Sequence, residues 1–264
     1  MGPGSFIQIV GRGVSLNVLG NEVSGDFGFE QSADGRVLGQ IGNARLAFNN
    51  GSRDLLILDN GSGALVATSV GLAFEFGGDL TLDIPEVSLT GSFIVAVNTS
   101  ILPVNETIDL TGTPQILNLP GGPYVRVSGT GVALVISGQS LNGDFVFERN
   151  NDGTILISAS NVNLTLGSGI VKVNNGLGGL IVFDDGIAGS IDGDIALNVA
   201  GLSTSASFGV RVNTTIRTID ESIVINGTPV AMTLPAGRFL RVEARNVEIE
   251  IAGQTLSGNF FFEQ

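Results

Sequence analysis

The chain has 264 residues and pairs 12 Lys plus Arg with 25 Asp plus Glu, for a net charge of −13. That balance opposes nucleic acid and anionic lipid, both of which carry charge of the same sign. Histidine and cysteine are absent, which excludes Ser-His-Asp and Cys-His catalysis, disulfides and ordinary structural zinc sites.

Taken in chain order, Met1–Ser5 (MGPGS) reads as an expression remnant. Residues 6–31, FIQIVGRGVSLNVLGNEVSGDFGFEQ, then predict a hairpin. Side chains alternate along a strand, so Val14, Leu16 and Val18 share a face, as do Val23, Gly25, Phe27 and Phe29. A two-residue turn at Gly20-Asn21 would pair Val18 with Val23, Leu16 with Gly25 and Val14 with Phe27. Glycine then stands first in the loop, the type II′ pattern. The phenylalanine-bearing face is expected to be core. Ser-Ala-Asp-Gly at 32–35 leads into a third strand, and Asn50-Gly51 and Asn60-Gly61 read as further turns. The stretch 49–64, NNGSRDLLILDNGSGA, is the one candidate edge for a binding module. Leu80, Leu82 and Ile84 followed by Gly91, Phe93 and Val95 repeat the hairpin spacing, although Glu86-Val87 does not fit the type II′ tip. Gly112-Thr113-Pro114 and Gly227-Thr228-Pro229 are turns, since no phosphate-cradling glycine run or lysine follows. Leu119-Pro120-Gly121-Gly122-Pro123 marks a joint.

The chain then begins again. Residues 124–149, YVRVSGTGVALVISGQSLNGDFVFER, and residues 239–264, FLRVEARNVEIEIAGQTLSGNFFFEQ, align on 6–31 without a gap, and 78–127 aligns likewise on 193–242. The period is 118 residues, then 115. Tips at Gly138-Gln139, Gly201-Leu202 and Gly253-Gln254 match the first, Asp152-Gly153 and Asn175-Gly176 add turn signals, and Leu234-Pro235-Ala236-Gly237-Arg238 is a second joint. The organisation is therefore repeat 6–123, repeat 124–238 and a partial third, 239–264. No segment has a helical period. The expected fold is all-β: tandem repeats of antiparallel hairpins and meanders, roughly ten short strands each, in an elongated, solenoid-like or bead-on-rod array, with sandwich or barrel units as the alternative. Joints this short imply touching neighbours, and 239–264 is expected to complete the core of the unit before it.

The chemistry offered is sparse. Asp26 and Asp144 become Asn259 in the third copy, while Glu30, Glu148 and Glu263 recur. These acids read as solvated strand residues rather than a glycosidase pair. Asp184, Asp185, Asp192 and Asp194, in VFDDGIAGSIDGDI, supply hard oxygen ligands that could hold calcium, against the alternative of turn aspartates. Only Asp194 has a counterpart, Asp79, and no EF-hand loop or β-roll nonapeptide is present. No catalytic residue, cofactor or enzyme activity is expected, calcium being the one exception weighed. A membrane barrel is disfavoured because Trp is absent and Tyr124 is the single tyrosine, too few for aromatic girdles.

The phrases LPxGxΦxRVxGxGVxLxIxGQxLxGDFxFE at 119–148 and GSFxVxVNT at 91–99 resemble the repeats of giant bacterial extracellular, often adhesin-like proteins. The resemblance implies a place at or beyond the cell surface and a role as stalk or spacer. Its partners would be neighbouring repeats, with a surface ligand possible and no membrane span. Two alternatives are a calcium- or ligand-binding adhesin module, and a lipid-binding apolar groove formed if a one-sided sheet fails to close.

Overall fold

The computed structural model describes residues 7–18, 21–50, 52–199, 202–225 and 228–264. The chain is all-β. In order it forms β1 (Ile7–Val18), β2 (Asn21–Gln31), β3 (Val37–Asn49), β4 (Asp54–Thr68), β5 (Gly71–Ile84), β6 (Val87–Asn98), β7 (Val104–Ile108), β8 (Gln115–Leu119) and β9 (Tyr124–Ile136). It continues with β10 (Gln139–Arg149), β11 (Ile155–Leu166), β12 (Val171–Phe183), β13 (Gly186–Val199), β14 (Leu202–Asn213), β15 (Ile219–Ile225), β16 (Thr228–Leu234), β17 (Phe239–Ile251) and β18 (Gln254–Glu263). Fourteen strands make one antiparallel sheet in the order β1-β2-β3-β4-β5-β6-β9-β10-β11-β12-β13-β14-β17-β18, which does not close into a barrel. The strands that leave it, β7–β8 and β15–β16, form separate two-stranded hairpins. Packing divides the chain into two compact units, Met1–Gly129 with Glu148–Asp152, and Thr130–Phe147 with Gly153–Gln264.

The strands are fewer and longer than the turn signals suggested. Asp34-Gly35 and Asp152-Gly153 do lie between strands, with Gly35 at φ 84° and Gly153 at φ 86°. Asn60-Gly61 and Asn175-Gly176 instead lie inside β4 and β12, where the register slips and the strand continues. The asparagine takes the left-handed conformation, φ 54° at Asn60 and 55° at Asn175, and forms a bulge rather than a reversal.

The leading hairpins also differ from the type II′ expectation. Val18 faces Asn21, and Ile251 faces Gln254, which leaves Ala252 and Gly253 as the loop of the last hairpin. At the tips that are described, Ser137 and Gly138 have φ 47° and 78°, and Ala252 and Gly253 have φ 50° and 78°. Positive φ at both central residues is the type I′ turn, with glycine second. Gly20 and Gly201 lie outside the described residues. The shift places Val14 opposite Gly25 and Val247 opposite Gly258, whereas Leu16 faces Val23 and Ile249 faces Leu256. At β5–β6 the tip is Pro85-Glu86, and the φ of 65° at Glu86 gives a type II turn with proline first.

A core forms on the face opposite the one the sequence suggested. In the first unit the hairpin β7–β8 lies over Leu38, Ala64, Val66, Ala73 and Ala96, burying Ile108, Leu117 and Leu119 against them, with Leu110 and Tyr124 in the same cluster. In the second, Ile219, Met232 and Leu234 of β15–β16 bury Val146, Ile181 and Ala188, and Leu156, Phe183 and Phe239 pack alongside. Small residues allow this approach. A Cβ at Gly28 would sit 2.4 Å from Leu110 Cβ, and alanines carpet the sheet where the hairpin rests. The phenylalanine face remains uncovered within each unit. The third copy enters this core through Phe239, while its Phe260 and Phe262 stay more than half exposed, at 55% and 57%. Its hairpin therefore extends the sheet by pairing with β14 more than it completes a core.

Each covering hairpin is rooted by one asparagine, which accounts for the recurring VNT and LP motifs. Asn98, with no exposed surface, donates from Nδ2 to the carbonyls of Leu102 (2.9 Å) and Pro120 (2.7 Å) and accepts the Ser100 amide at 2.9 Å. Asn213, equally buried, donates to Arg217 (2.8 Å) and Pro235 (2.9 Å) and accepts from the Thr215 amide at 2.9 Å. Replacing Asn213 with alanine strands these buried groups, so Asn213→Ala should cost about 3 kcal/mol in urea unfolding. Turn geometry gives a change of opposite sign. Ala252 is a β-carbon residue in a left-handed position that asparagine tolerates better, so Ala252→Asn should stabilise by about 0.5–1 kcal/mol in the same measurement.

Candidate functional site

Two features recur in both units, a row of carboxylates on the polar face and an apolar surface on the other. The carboxylates sit beside bulges. Seven residues with φ between 50° and 59°, Gly13, Asn43, Asn60, Gly131, Asn161, Asn175 and Asn246, lie within strands. Asp26 accepts the Gly13 amide from one neighbouring strand and Asn43 Nδ2 from the other, both at 2.7 Å. Asp144 does the same with the Gly131 amide (2.7 Å) and Asn161 Nδ2 (2.8 Å). Asn259 Oδ1 accepts the Asn246 amide at 2.8 Å. A second version uses Asp79, which takes Asn60 Nδ2 (2.8 Å) and Ser92 Oγ, and Asp194, which takes Asn175 Nδ2 (3.0 Å) and Ser207 Oγ (2.8 Å). These hydrogen bonds favour the ionised form, and they hold Asp26, Asp79 and Asp194 below the ordinary carboxylate value of 3.8.

The four aspartates considered for calcium are not brought together. Asp184 and Asp185 occupy the β12–β13 tip, where Phe183 faces Gly186. Asp185 pairs with Arg217 at 3.4 Å, whose guanidinium lies over the Phe183 ring. Asp192 and Asp194 are roughly 23 and 30 Å further along β13 at about 3.3 Å per residue. Asp192 pairs with Arg211 at 2.7 Å and Asp194 is the bulge clamp. Among the described residues no group of three or more His, Cys, Asp or Glu is placed to hold a metal ion. The candidate edge at 49–64 forms the β3–β4 tip, where the Asn50 side chain accepts the Ser52 and Arg53 amides, and the start of β4. Tyr124 donates its hydroxyl to Glu148 at 3.1 Å, and burial together with that carboxylate pushes its pKa up to about 12.

The opposite face can be followed row by row. In the first unit Phe29, Gly39, Leu65, Phe74 and Val97 stand side by side on β2 to β6, and next to them Phe27, Ile41, Gly63, Phe76 and Val95. Beyond the bulges Leu46, Leu58, Leu80 and Gly91 continue it. In the second unit the matching rows are Ile157, Leu180, Gly189, Val212 and Leu240, then Ala159, Gly178, Ile191, Val210 and Val242. None of these side chains carries a polar atom. Both pairs of rows form open grooves, about 280 Å³ in the first unit and about 440 Å³ in the second.

No protein-family model, curated protein or solved structure matches the chain. The clamp is structural, and its spacing was visible in the sequence: the accepting side chain follows its bulge by 13 residues in Gly13/Asp26, Gly131/Asp144 and Asn246/Asn259, and by 19 in Asn60/Asp79 and Asn175/Asp194.

Two outcomes test the clamp. Because the native pKa values are depressed, the stability contributed by Asp26, Asp79 and Asp194 is complete above about pH 4 and is lost as the pH falls through those lowered values. Thermal melts from pH 7 to 2 should show this loss, and the doubly substituted Asp79→Asn, Asp194→Asn chain should show a shallower acid limb. At the bulge itself the order of stability should be Asn175, then Asn175→Gly, then Asn175→Ala. Glycine loses only the hydrogen bond, whereas alanine adds about 1–2 kcal/mol of left-handed strain.

Proposed function

We propose that the chain is a repeat-built β-scaffold whose uncovered apolar face binds the acyl chains of lipids. The observation that carries this reading is the run of apolar strand rows that passes through the two grooves and extends beyond them. Five strands about 4.8 Å apart, presenting a side chain every 6.7 Å or so, make a surface on the order of 800 Å². Soluble monomers rarely leave more than a few hundred Å² of contiguous apolar surface uncovered unless it binds something.

The chemistry of the face argues for hydrocarbon. A protein interface normally carries about one hydrogen bond per 100–200 Å², yet these side chains offer no donor or acceptor, and the sheet ladder occupies the backbone groups. A hydrocarbon requires none. A second copy would bring another apolar face, but also another net charge of −13, which opposes close stacking. The large residues at the floor of each groove lie over glycines, Leu65 against Gly39 and Phe76 against Gly63, which leaves furrows between rows.

The recurrence of the clamp and of the asparagine root in both units also supports a spacer role within a larger bacterial surface protein. In that setting each added unit would multiply the apolar face.

Titration with a phosphatidylcholine bearing a fluorescent acyl chain tests the lipid reading. Wild-type protein should bind it and remain monomeric in light scattering. The doubly substituted Phe29→Glu, Ile191→Glu chain should bind at least tenfold more weakly, both positions being exposed enough, at 47% and 51%, to accept charge without unfolding. No binding by the wild-type chain, or a face-to-face dimer that excludes the probe, would overturn the proposal.

A further inference from the structure

The two units present the same rows with different residues, and the difference bears on which one takes an acyl chain. At matching register positions, Ile41 corresponds to Ala159, Phe74 to Gly189 and Phe76 to Ile191, whereas Leu65 and Leu180, and Gly63 and Gly178, are unchanged. The first groove is lined by four aromatic rings, Phe27, Phe29, Phe74 and Phe76. The second, one strand further along on β11 to β14, is lined by aliphatic side chains with Ser158 and Ser190 around Gly178, Gly179 and Gly189, while Phe145 and Phe147, the counterparts of Phe27 and Phe29, lie outside it. At about 440 Å³ it is half as large again as the first, at about 280 Å³.

Packing at the shared leucine shows how the exchange works. Leu65 lies against Gly39, where an added Cβ would be 2.7 Å from its Cγ, because Phe74 occupies its other side. Leu180 has Ile157 where Leu65 has Gly39, so it turns the other way, onto Gly189, where an added Cβ would be 2.9 Å from its Cδ1. The leucine and Phe74 together narrow the first groove. In the second, the place held by Phe76 passes to Ile191 and that of Ile41 to Ala159, and the floor opens towards Val210 and Val212.

We infer that the second unit is the acyl-chain site and that Ala159, Gly189 and Ile191 set its capacity, while Ile41, Phe74 and Phe76 close the first unit to the same ligand. This rests on the lipid-binding reading proposed above. A flexible methylene chain fills an irregular aliphatic furrow, whereas the first groove offers the chain little space between aromatic rings.

The stoichiometry of the same phosphatidylcholine probe tests the assignment, with circular dichroism and melting confirming that each variant folds. Wild-type protein should bind one probe per chain. Ile191→Glu should abolish binding, and the loss caused by Phe29→Glu should be far smaller. Ala159→Ile with Ile191→Phe, which installs the first unit's residues and keeps the surface apolar, should weaken binding at least tenfold. Phe74→Ala with Phe76→Ile should add a second probe. Two probes per wild-type chain, or equal losses from Phe29→Glu and Ile191→Glu, would overturn the assignment while leaving lipid binding intact. No probe bound by wild-type protein would instead remove the reading on which it rests.

Discussion

A carboxylate held against a bulged strand is the interaction on which the rest of this sheet depends. Each bulge puts two residues opposite one, with one of the two in a left-handed conformation, leaving an amide or side chain that needs a partner off the regular ladder. Asp26, Asp79, Asp144 and Asp194 supply that partner from the adjacent strand. The bulge also changes the parity of the sequence. On β3 the apolar face is carried by Val37, Gly39 and Ile41 before Asn43, and by Ala44, Leu46 and Phe48 after it. Without the extra residue the second set would turn to the polar side, because a one-residue slip exchanges the faces of a strand. The clamp therefore keeps one face apolar along the full length of strands that run to 15 residues.

With the faces sorted in this way, the covering hairpins decide which is buried. Both settle on the side that carries Ala64, Ala73 and Ala96 or Ala188, and both are held at the root by a buried asparagine. The units differ in how the far end is held. In the first, the fully enclosed Gln40 accepts the Leu110 and Thr111 amides and donates to the Thr113 carbonyl. In the second, Ser158 occupies the corresponding position and its buried Oγ has no partner among the described residues. A two-layer core on one side leaves the other side as a single layer, and the apolar surface arises from that asymmetry.

The strands, their antiparallel meander and the identity of the apolar set were legible in the sequence, because period-two alternation and a gapless repeat report them directly. Its destination was not. Alternation shows that Phe27 and Phe29 share a face, but not whether that face is covered, which depends on where Ile108 and Leu117 fold back from a segment some 80 residues later. Asn60-Gly61 and Asn175-Gly176 were equally ambiguous, since asparagine in a left-handed conformation serves a turn and a bulge alike. The recurring acids were visible as Asp79 and Asp194 and as Asp26 and Asp144. Their meaning lay in spacings of 13 and 19 residues to a bulge that propensity alone does not locate.

The claim most in need of direct measurement is that adjacent residues of one strand face opposite environments, one sealed and one open to ligand. The cysteine-free chain allows it to be measured with single thiols at Ile187, which is 36% exposed, and Ala188, which is fully buried. The account predicts that Ile187→Cys reacts rapidly with a small methanethiosulfonate reagent and is protected by phosphatidylcholine, while Ala188→Cys stays slow with or without lipid. Slow labelling at both positions in lipid-free protein, or rapid labelling at Ala188→Cys in a chain that melts as wild type does, would contradict it.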